Sequence, residues 1–260
     1  MDLQLNGKTA LVTGSTAGIG FAIAASLARE GAAVVVNGRT EAGVAKALQE
    51  LSNPRISGFA GDLGTADAAE RLFRQVPAVD ILVNNLGIFE PKAFEDIPDA
   101  DWVRFFEVNV LSGVRLSRLY VPEMKKRNWG RIIFISSESG VQIPTEMIHY
   151  GMTKTAQISV ARGLAQHLNG TGITVNSVLA GPTSSRGVGD FIEQLAKKQG
   201  TSREQMEKEF FEKARPSSII QRFASPDEVA ALVTYVASPL ASATTGAALR
   251  ADGGTTPTIL

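Results

Sequence analysis

Short apolar runs alternate with longer amphipathic segments along most of the chain. The runs are rich in β-branched residues and lack the polar/apolar alternation of a half-exposed strand, so each is predicted to be a strand covered on both faces. The predicted strands span residues 9–13, 32–36, 81–83, 131–135 and 173–178. Strands that alternate with helices over this length predict one doubly wound α/β domain, a parallel sheet with helices on both faces.

The segments between the runs have helical spacing. One apolar stripe consists of Ile158, Ala161, Leu164, Ala165 and Leu168, and a shorter one of Ile23, Leu27 and Ala28. Further along, Ser225 followed by Pro226 and Glu228 has the capping serine, the first-turn proline and the third-position glutamate of a helix start. Pro239 is predicted to follow the end of this helix.

One region departs from the alternation of strands and helices. The stretch between Gly181 and Ser225 is too long for an ordinary strand-to-helix connection and has charges of both signs at helical spacing. Because it follows the carboxyl end of a predicted strand, where such sheets bind ligands, residues 186–222 are predicted to form a helical lid over a pocket. Phe191, Phe210 and Phe211 are candidates for an apolar pocket wall, or for packing against the core.

Composition excludes several classes of function. The 260 residues balance 26 Lys and Arg against 26 Asp and Glu, so the chain lacks the basic field of a nucleic-acid-binding protein. There is no cysteine and only two histidines, His149 and His167, which argues against disulfides, thiolate catalysis and a metal centre. Without a secretory pattern or a long apolar run, the chain is predicted to be soluble, cytoplasmic and independent of membranes.

A glycine cluster lies between the first predicted strand and the first predicted helix. Gly14, Gly18 and Gly20 are spaced G-x-x-x-G-x-G, which differs from the G-x-G-x-x-G dinucleotide fingerprint. Glycine at such a junction lets the backbone approach a pyrophosphate at the helix N-terminus, so this loop is predicted to bind a nucleotide. The predicted contacts are Gly14, Ser15, Thr16, Gly18, Ile19 and Gly20.

The end of the second strand bears on the choice of cofactor. A ribose with a free 2′-hydroxyl is usually held there by Asp or Glu, but this chain has Arg39, and the first carboxylate after the strand is Glu41. A guanidinium suits a 2′-phosphate, so NADP(H) is predicted as the preferred cofactor and NAD(H) as the alternative. Ala17 takes the place where a second basic residue could hold the phosphate.

Tyr150 and Lys154 are four residues apart at the start of a predicted helix, and therefore share one face of it. A nearby cation stabilises a phenolate, so Lys154 is expected to lower the pKa of Tyr150 toward that of a useful acid/base. Ser136 and Ser137 end the preceding strand. His149, next to the tyrosine, is predicted to lie on the surface at the helix start, and a position facing the substrate is the alternative.

Taken together, these motifs resemble the short-chain dehydrogenase/reductase family over nearly the whole chain. The glycine loop, the N-N-x-G segment that ends at Gly87, Ser137 thirteen residues before the tyrosine, and Y-x-x-x-K stand in the family's order. The resemblance implies a Rossmann-like fold with a parallel sheet of about seven strands, and Asn109, Ser137, Tyr150 and Lys154 as the catalytic set. It adds Asp62, Leu63, Asn85, Gly87 and Thr183 to the cofactor contacts, with Tyr150 and Lys154 touching the cofactor as well.

The resemblance also assigns roles. Tyr150 is expected to exchange a proton with the substrate oxygen, Ser137 to hydrogen-bond the carbonyl, and Lys154 to hold the nicotinamide ribose. Asn109 is expected to organise a water that relays protons to Lys154. Leu86, where the family has alanine, and Pro182, displaced from the family's Pro-Gly, are departures beside the cofactor.

The leading hypothesis is an NADP(H)-dependent oxidoreductase that interconverts a ketone and a secondary alcohol. An NAD(H)-dependent dehydrogenase of the same family is the first alternative. A catalytically silent dinucleotide sensor and a lyase or epimerase that uses the cofactor transiently are the others. A small-molecule carbonyl or alcohol is the expected substrate, and the family resemblance implies a homo-oligomer, a dimer or a homotetramer.

Overall fold

Seven strands form one sheet in the order β3-β2-β1-β4-β5-β6-β7, and every neighbouring pair runs parallel. The structure is a computed structural model that describes residues 1–184, 189 and 201–259. The strands are β1 (Thr9–Val12), β2 (Ala33–Gly38), β3 (Ile56–Ala60), β4 (Ile81–Asn84), β5 (Gly130–Ser137), β6 (Ile173–Ala180) and β7 (Ala248–Ala251).

Helices connect these strands and lie on both faces of the sheet. In the described part of the chain they are α1 (Gly18–Arg29), α2 (Glu41–Leu51), α3 (Ala66–Gln75), α4 (Asp99–Phe106), α5 (Ser112–Arg127), α6 (Ile148–His167), α7 (Arg203–Glu209) and α8 (Pro226–Val236). Two π-helical segments follow α4 and α7, at Glu107–Leu111 and Phe210–Ala214. Helices on both faces confirm the predicted doubly wound, Rossmann-like architecture.

The sheet is buried on both sides because consecutive strand residues point to opposite faces. On one side, Val12 and Val83 pack in a core with α1 and α8. On the other, Leu11 and Leu82 pack in a core with α3, α5 and α6. Fully apolar runs such as that of β4 are therefore buried along their whole length, as the sequence pattern predicted.

The predicted strand positions are confirmed, but two further strands are not continuous apolar runs and were not among those predicted. Gly58 interrupts β3, and Arg250 interrupts β7. The helix start at Ser225 is also confirmed: its side chain accepts from the backbone N–H of Glu228, whose side chain accepts from the Ser225 N–H.

The predicted lid is described only in part. Within 186–222, residues 186–188 and 190–200, which include Phe191, lie outside the described residues, whereas α7 and the π-helical segment after it lie within them. Phe211 is buried and packs with Met206 and Phe223. Across the described part of the chain, no helix has both the length and the apolar composition needed to cross a membrane.

The strand order determines where a ligand can bind. From β1 the chain proceeds outward through β2 to β3, and β4 then returns to the other side of β1. The connections after β1 and β4 consequently leave the sheet in opposite directions and open a crevice at the carboxyl ends of these strands. The glycine cluster follows β1 directly at this crevice.

Candidate active site

The glycine loop has the backbone conformation that its sequence predicts. Gly14 and Gly18 both have φ of +58°, in the left-handed region that favours glycine. α1 begins at Gly18, and its N-cap residue, Ala17, has no side chain that could cap the helix. The first-turn N–H groups of this 12-residue helix are therefore left for another acceptor, and no acidic residue lies in that turn to repel an anion. Both features fit a bound pyrophosphate.

Gly20 is required by close packing rather than by its backbone angle. A Cβ at this position would lie 2.5 Å from Asn85 Nδ2 and 2.6 Å from the Gly14 carbonyl oxygen. The same Asn85 amide donates to the carbonyl oxygens of Thr13 and Gly14, at 2.9 and 3.1 Å. A side chain at position 20 would therefore disturb the contact between the β1 loop and the β4 loop.

Two residues that hold these loops were not identified from the sequence. Asn37, buried at the end of β2, accepts from the Gly14 N–H at 3.1 Å. The Thr13 hydroxyl accepts from the N–H groups of Asn85 and Leu86, both at 2.9 Å. Each is a polar residue at the end of an apolar strand, which is the signal that could have identified it.

The residues predicted to contact the adenosine half lie at the ends of β2 and β3. Arg39 is exposed between β2 and α2, and it has no hydrogen bond or ion pair with any residue that the structure describes. Asp62 is exposed and accepts from the Gly64 N–H at 3.0 Å, whereas Leu63 is buried in the core.

Asn109 is held within the first π-helical segment. Its side chain exchanges hydrogen bonds with the backbone of Ile88, accepting from the N–H at 2.8 Å and donating to the carbonyl at 3.0 Å. It also donates to the Thr153 hydroxyl at 3.0 Å. Asn109 Oδ1 and Lys154 Nζ each lie 3.5 Å from the point that a Cβ of Gly87 would occupy, so both converge on the β4 loop.

The two serines at the end of β5 have different partners. Ser137 accepts from the Ser139 N–H at 3.1 Å and donates to the carboxylate of Glu138. Ser136 donates to the carbonyl of Lys154 at 2.8 Å and thereby ties β5 to α6.

Tyr150 and Lys154 share a face of α6, as predicted, and the ammonium nitrogen lies 5.5 Å from the centre of the phenol ring. That nitrogen donates to the carbonyl of Ile135 at 2.9 Å and to Gln157 Oε1 at 3.2 Å. Gln157 in turn donates to the carbonyl of Asn109 at 2.6 Å and so links two members of the predicted set. It was missed from the sequence, although it lies one turn beyond the lysine.

The pKa of Tyr150 does not follow the expectation. Burial, and then the negative charge of Glu138, raise it above its ordinary value, while the hydrogen bond from Ser137 and the charge of Arg215 oppose the rise. Burial also lowers the pKa of Lys154 to about 8, against the opposing effect of Glu138. The pKa of Tyr150 is therefore not lowered as expected, because burial and the charge of Glu138 outweigh the opposing effects of Ser137 and Arg215.

Lys154→Met gives a pH-dependent test of this burial. The folded-state pKa lies below the ordinary 10.5, so as the pH rises the folded protein releases this proton before the unfolded chain does, and its stability increases. We expect the free energy of unfolding of the parent, relative to Lys154→Met, to rise by about 1–2 kcal/mol between pH 7.5 and 9.5 in urea titrations. The exposed Lys126→Met should show no such change, and a pH-independent difference for Lys154→Met would contradict the lowered pKa.

Many of the predicted residues line one cavity of about 490 Å³ at the crevice. Seven of them contribute to its wall: Ile19, Asn85, Gly87, Ser137, Tyr150, Lys154 and Thr183. Thr16 and Gly18 line a neighbouring cavity of about 320 Å³ at the start of α1. Arg39, Asp62 and Leu63 line neither cavity and lie toward the other edge of the sheet.

Three charged residues of the cavity wall were also not identified from the sequence. Glu138 and Arg215 are both buried, and Arg215 Nε donates to Glu138 Oε1 at 3.2 Å. Arg215 Nη1 donates to Glu146 Oε1 at 3.1 Å. The pair of Glu138 and Arg215 is separated by 77 residues in sequence, so no local pattern could have indicated it.

The prediction that His149 lies on the surface is wrong. Its side chain is fully buried, and its ring centre lies 4.1 Å from that of Phe105 and 6.0 Å from that of Trp102. Both aromatic residues come from α4, which packs over the start of α6. Burial lowers the pKa of His149 and favours the neutral ring.

Comparison with known proteins gives the family. The sequence model described as short chain dehydrogenase matches residues 8–196. The chain belongs to this family. It is 51% identical over 258 residues to YvaG of Bacillus subtilis, named an uncharacterized oxidoreductase, with 98% of each chain covered.

Two further relatives carry more specific names. The D-beta-hydroxybutyrate dehydrogenase of Cupriavidus necator is 36% identical to this chain. The match covers 96% of this chain and 98% of the Cupriavidus protein. The structure of L-sorbose reductase from Gluconobacter frateurii, complexed with NADPH and L-sorbose, superimposes with a TM-score of 0.93 at 30% identity, with both chains fully covered. This short-chain dehydrogenase is accordingly an oxidoreductase with a nicotinamide cofactor.

Proposed function

We propose that this dehydrogenase uses NADP(H) to interconvert a ketone and a secondary alcohol, with Tyr150 as the general acid/base. The observation that carries the proposal is the convergence of Ser137, Tyr150 and Lys154 on one cavity beside the β1 and β4 loops. A carbonyl placed there lies between two hydroxyl groups that can share the negative charge which hydride addition creates.

When bound, the nicotinamide supplies or accepts the hydride. In the direction of carbonyl reduction, Tyr150 donates a proton to the substrate oxygen, and its raised pKa favours the protonated phenol that this requires. Ser137 can hydrogen-bond the same oxygen once its hydroxyl turns from Glu138. Lys154 holds the nicotinamide ribose, and Asn109 positions the water that returns a proton to it.

Arg39 supports NADP(H) over NAD(H). Its exposed guanidinium has no partner among the described residues, so it is available for a 2′-phosphate. Asn37, the polar residue at the end of β2, is already bound to the glycine loop and is not available for a ribose hydroxyl. The complex of L-sorbose reductase with NADPH is consistent with this preference.

Arg39→Asp tests the assignment. The parent is expected to bind NADPH at least tenfold more tightly than NADH in titrations that follow nicotinamide fluorescence. The substitution is expected to weaken NADPH binding by a further factor of ten or more, since a charge-assisted hydrogen bond contributes about 1.5–3 kcal/mol. Affinity for NADH should hold steady or improve, because aspartate can accept from a ribose hydroxyl.

Arg55→Asp is the matched control, since Arg55 is exposed just before β3, at the amino-terminal ends of the strands, whereas Arg39 follows the carboxyl end of β2. It should leave both affinities within twofold. Tighter binding of NADH by the parent would replace NADP(H) by NAD(H) and leave the dehydrogenase function intact. Binding of either cofactor without turnover of any carbonyl or alcohol would instead favour a dinucleotide sensor. Turnover with no free reduced or oxidised cofactor released would favour a lyase or epimerase.

We also propose that residues 1–260 work as one domain, with the segment 186–222 covering the substrate. The dimer or tetramer and the cytoplasmic location stay predictions of the family resemblance and of the composition. Size-exclusion chromatography with light scattering would measure the oligomeric state directly.

A further inference from the structure

Charged side chains form one part of a cavity whose walls are otherwise largely apolar. We call Glu138, Glu146 and Arg215 the acidic wall. All three line the cavity that also contains Tyr150, together with apolar side chains such as Phe210. The proposed reduction of a ketone uses none of the three directly, so their presence calls for another explanation.

Arg215 is fixed between the two carboxylates. Its side chain is 10% exposed, and it donates to Glu138 at 3.2 Å and to Glu146 at 3.1 Å. It also donates to the carbonyl of Ala214 at 2.8 Å. Two carboxylates thus share one guanidinium, and the acidic wall keeps one excess negative charge.

The two carboxylates differ in how many of their oxygens can still accept a hydrogen bond. Glu138 is 6% exposed and accepts from Ser137, Ser139 and Arg215, so only its Oε2 is released, and only when Ser137 turns to the substrate. Glu146 is 45% exposed, and its Oε2 has no donor among the described residues. An ionised carboxylate only accepts hydrogen bonds, so a group that binds at Glu146 must donate one.

The acidic wall lies next to the reacting carbon of any substrate. Glu138 follows Ser137 in the chain and accepts a hydrogen bond from its hydroxyl, so the wall begins one hydrogen bond away from the proposed carbonyl site. A carboxylate on a substrate there would meet two carboxylates with one guanidinium already paired to both, and the burial of Glu138 and Arg215 limits how far water screens the repulsion. Lys154, the other lining cation, keeps its charge but donates to the Ile135 carbonyl and to Gln157 rather than to the acidic wall.

We propose that the acidic wall selects uncharged, hydroxyl-bearing carbonyl compounds and excludes carboxylates. The substrate hydroxyl donates to Glu146, while the carbonyl oxygen lies between Ser137 and Tyr150. Arg215 holds the two carboxylates in place rather than binding an anionic substrate. This inference rests on the proposed carbonyl reductase function and adds the chemical class of its substrate.

Three ketones of similar size test the inference: 4-hydroxy-2-butanone, 2-pentanone and acetoacetate. They differ in whether the far end of the molecule is a hydroxyl, a methyl group or a carboxylate. With the cofactor that binds more tightly, kcat/KM for the hydroxyketone is expected to exceed that for acetoacetate by at least tenfold and that for 2-pentanone by several-fold. Equal or better turnover of acetoacetate overturns the inference and leaves the oxidoreductase function standing.

Glu146→Gln is the second test of the inference, because it removes the excess negative charge while the amide oxygen can still accept from Arg215. The ratio of hydroxyketone to acetoacetate should fall at least fivefold. Glu123→Gln, at the far end of α5, makes the same change of charge away from the cavity and should keep the parent's ratio. An unchanged ratio in Glu146→Gln would contradict the role of the acidic wall.

If the protein reduces other carbonyl compounds but none of these three, they are compared as competitive inhibitors. The hydroxyketone is then expected to bind most tightly and acetoacetate most weakly, and the reverse order overturns the inference. If no carbonyl compound is reduced and neither cofactor binds, it is the proposed function that fails. These outcomes separate the failure of the substrate class from the failure of the oxidoreductase assignment.

Discussion

Tyr150→Phe is expected to lower kcat for carbonyl reduction by about 10³-fold, within the range of about 10²–10⁴ that general acid/base catalysis supplies. The substitution removes only the hydroxyl oxygen, so the ring contact with Phe89, at 6.4 Å between centres, can persist. The dissociation constants of NADPH and NADH should stay within about threefold of the parent values, because the lost group acts mainly on the substrate oxygen. Steady-state kinetics and fluorescence titration measure the two quantities on the same preparation.

Tyr235→Phe is the matched control for this prediction. Tyr235 is 40% exposed on α8, away from the cavity, and its substitution should leave kcat and both dissociation constants unchanged. If Tyr150→Phe kept more than a tenth of the parent's kcat, another group would have to transfer the proton. The assignment of Tyr150 as the acid/base would then be wrong.

Gly20→Ala is expected to weaken binding of both NADPH and NADH by at least tenfold. The added methyl group would meet the Asn85 amide at 2.5 Å and the Gly14 carbonyl at 2.6 Å, so both loops at the crevice must shift. Overpacking of this kind costs about 1–3 kcal/mol of stability, which urea titration would detect. Unlike Arg39→Asp, this substitution should not change the preference between the two cofactors.

Gly163→Ala separates crowding from the mere loss of a glycine. Gly163 lies within α6, and a Cβ there would meet no atom within 4 Å. Alanine favours a helix interior over glycine by about 1 kcal/mol, so this variant should be at least as stable as the parent and bind both cofactors normally. Parent-like cofactor binding by Gly20→Ala would show that the β1 loop does not hold the pyrophosphate.

Local patterns predicted the parts of the site that depend on one strand or one helix. The spacing of Tyr150 and Lys154 places them on one face of α6 whatever packs against it, and an apolar run such as β4 shows its burial by composition alone. The glycine loop was predictable for the same reason, since a positive φ or a close approach of neighbouring atoms requires glycine at a single position.

Features that depend on distant partners could not be predicted in this way. His149 has the sequence position of an exposed helix start, and only the packing of Phe105 and Trp102 from α4 buries it. The pKa of Tyr150 depends on burial and on the charge of Glu138, which no helical spacing reveals. Arg215 reaches Glu138 across 77 residues of sequence, so the acidic wall exists only in the folded chain.

The π-helical segment that contains Asn109 determines how α4 and α5 are oriented relative to each other. A π-turn has one residue more than an α-turn, and Glu107–Leu111 lies between α4 and α5 without breaking the helical path. If the same residues were wound as an uninterrupted α-helix, the added residue would rotate α4 relative to α5 by about 100°. The Asn109 amide would then leave the Ile88 backbone. The extra residue thus allows α5 to pack on the sheet while α4 covers His149.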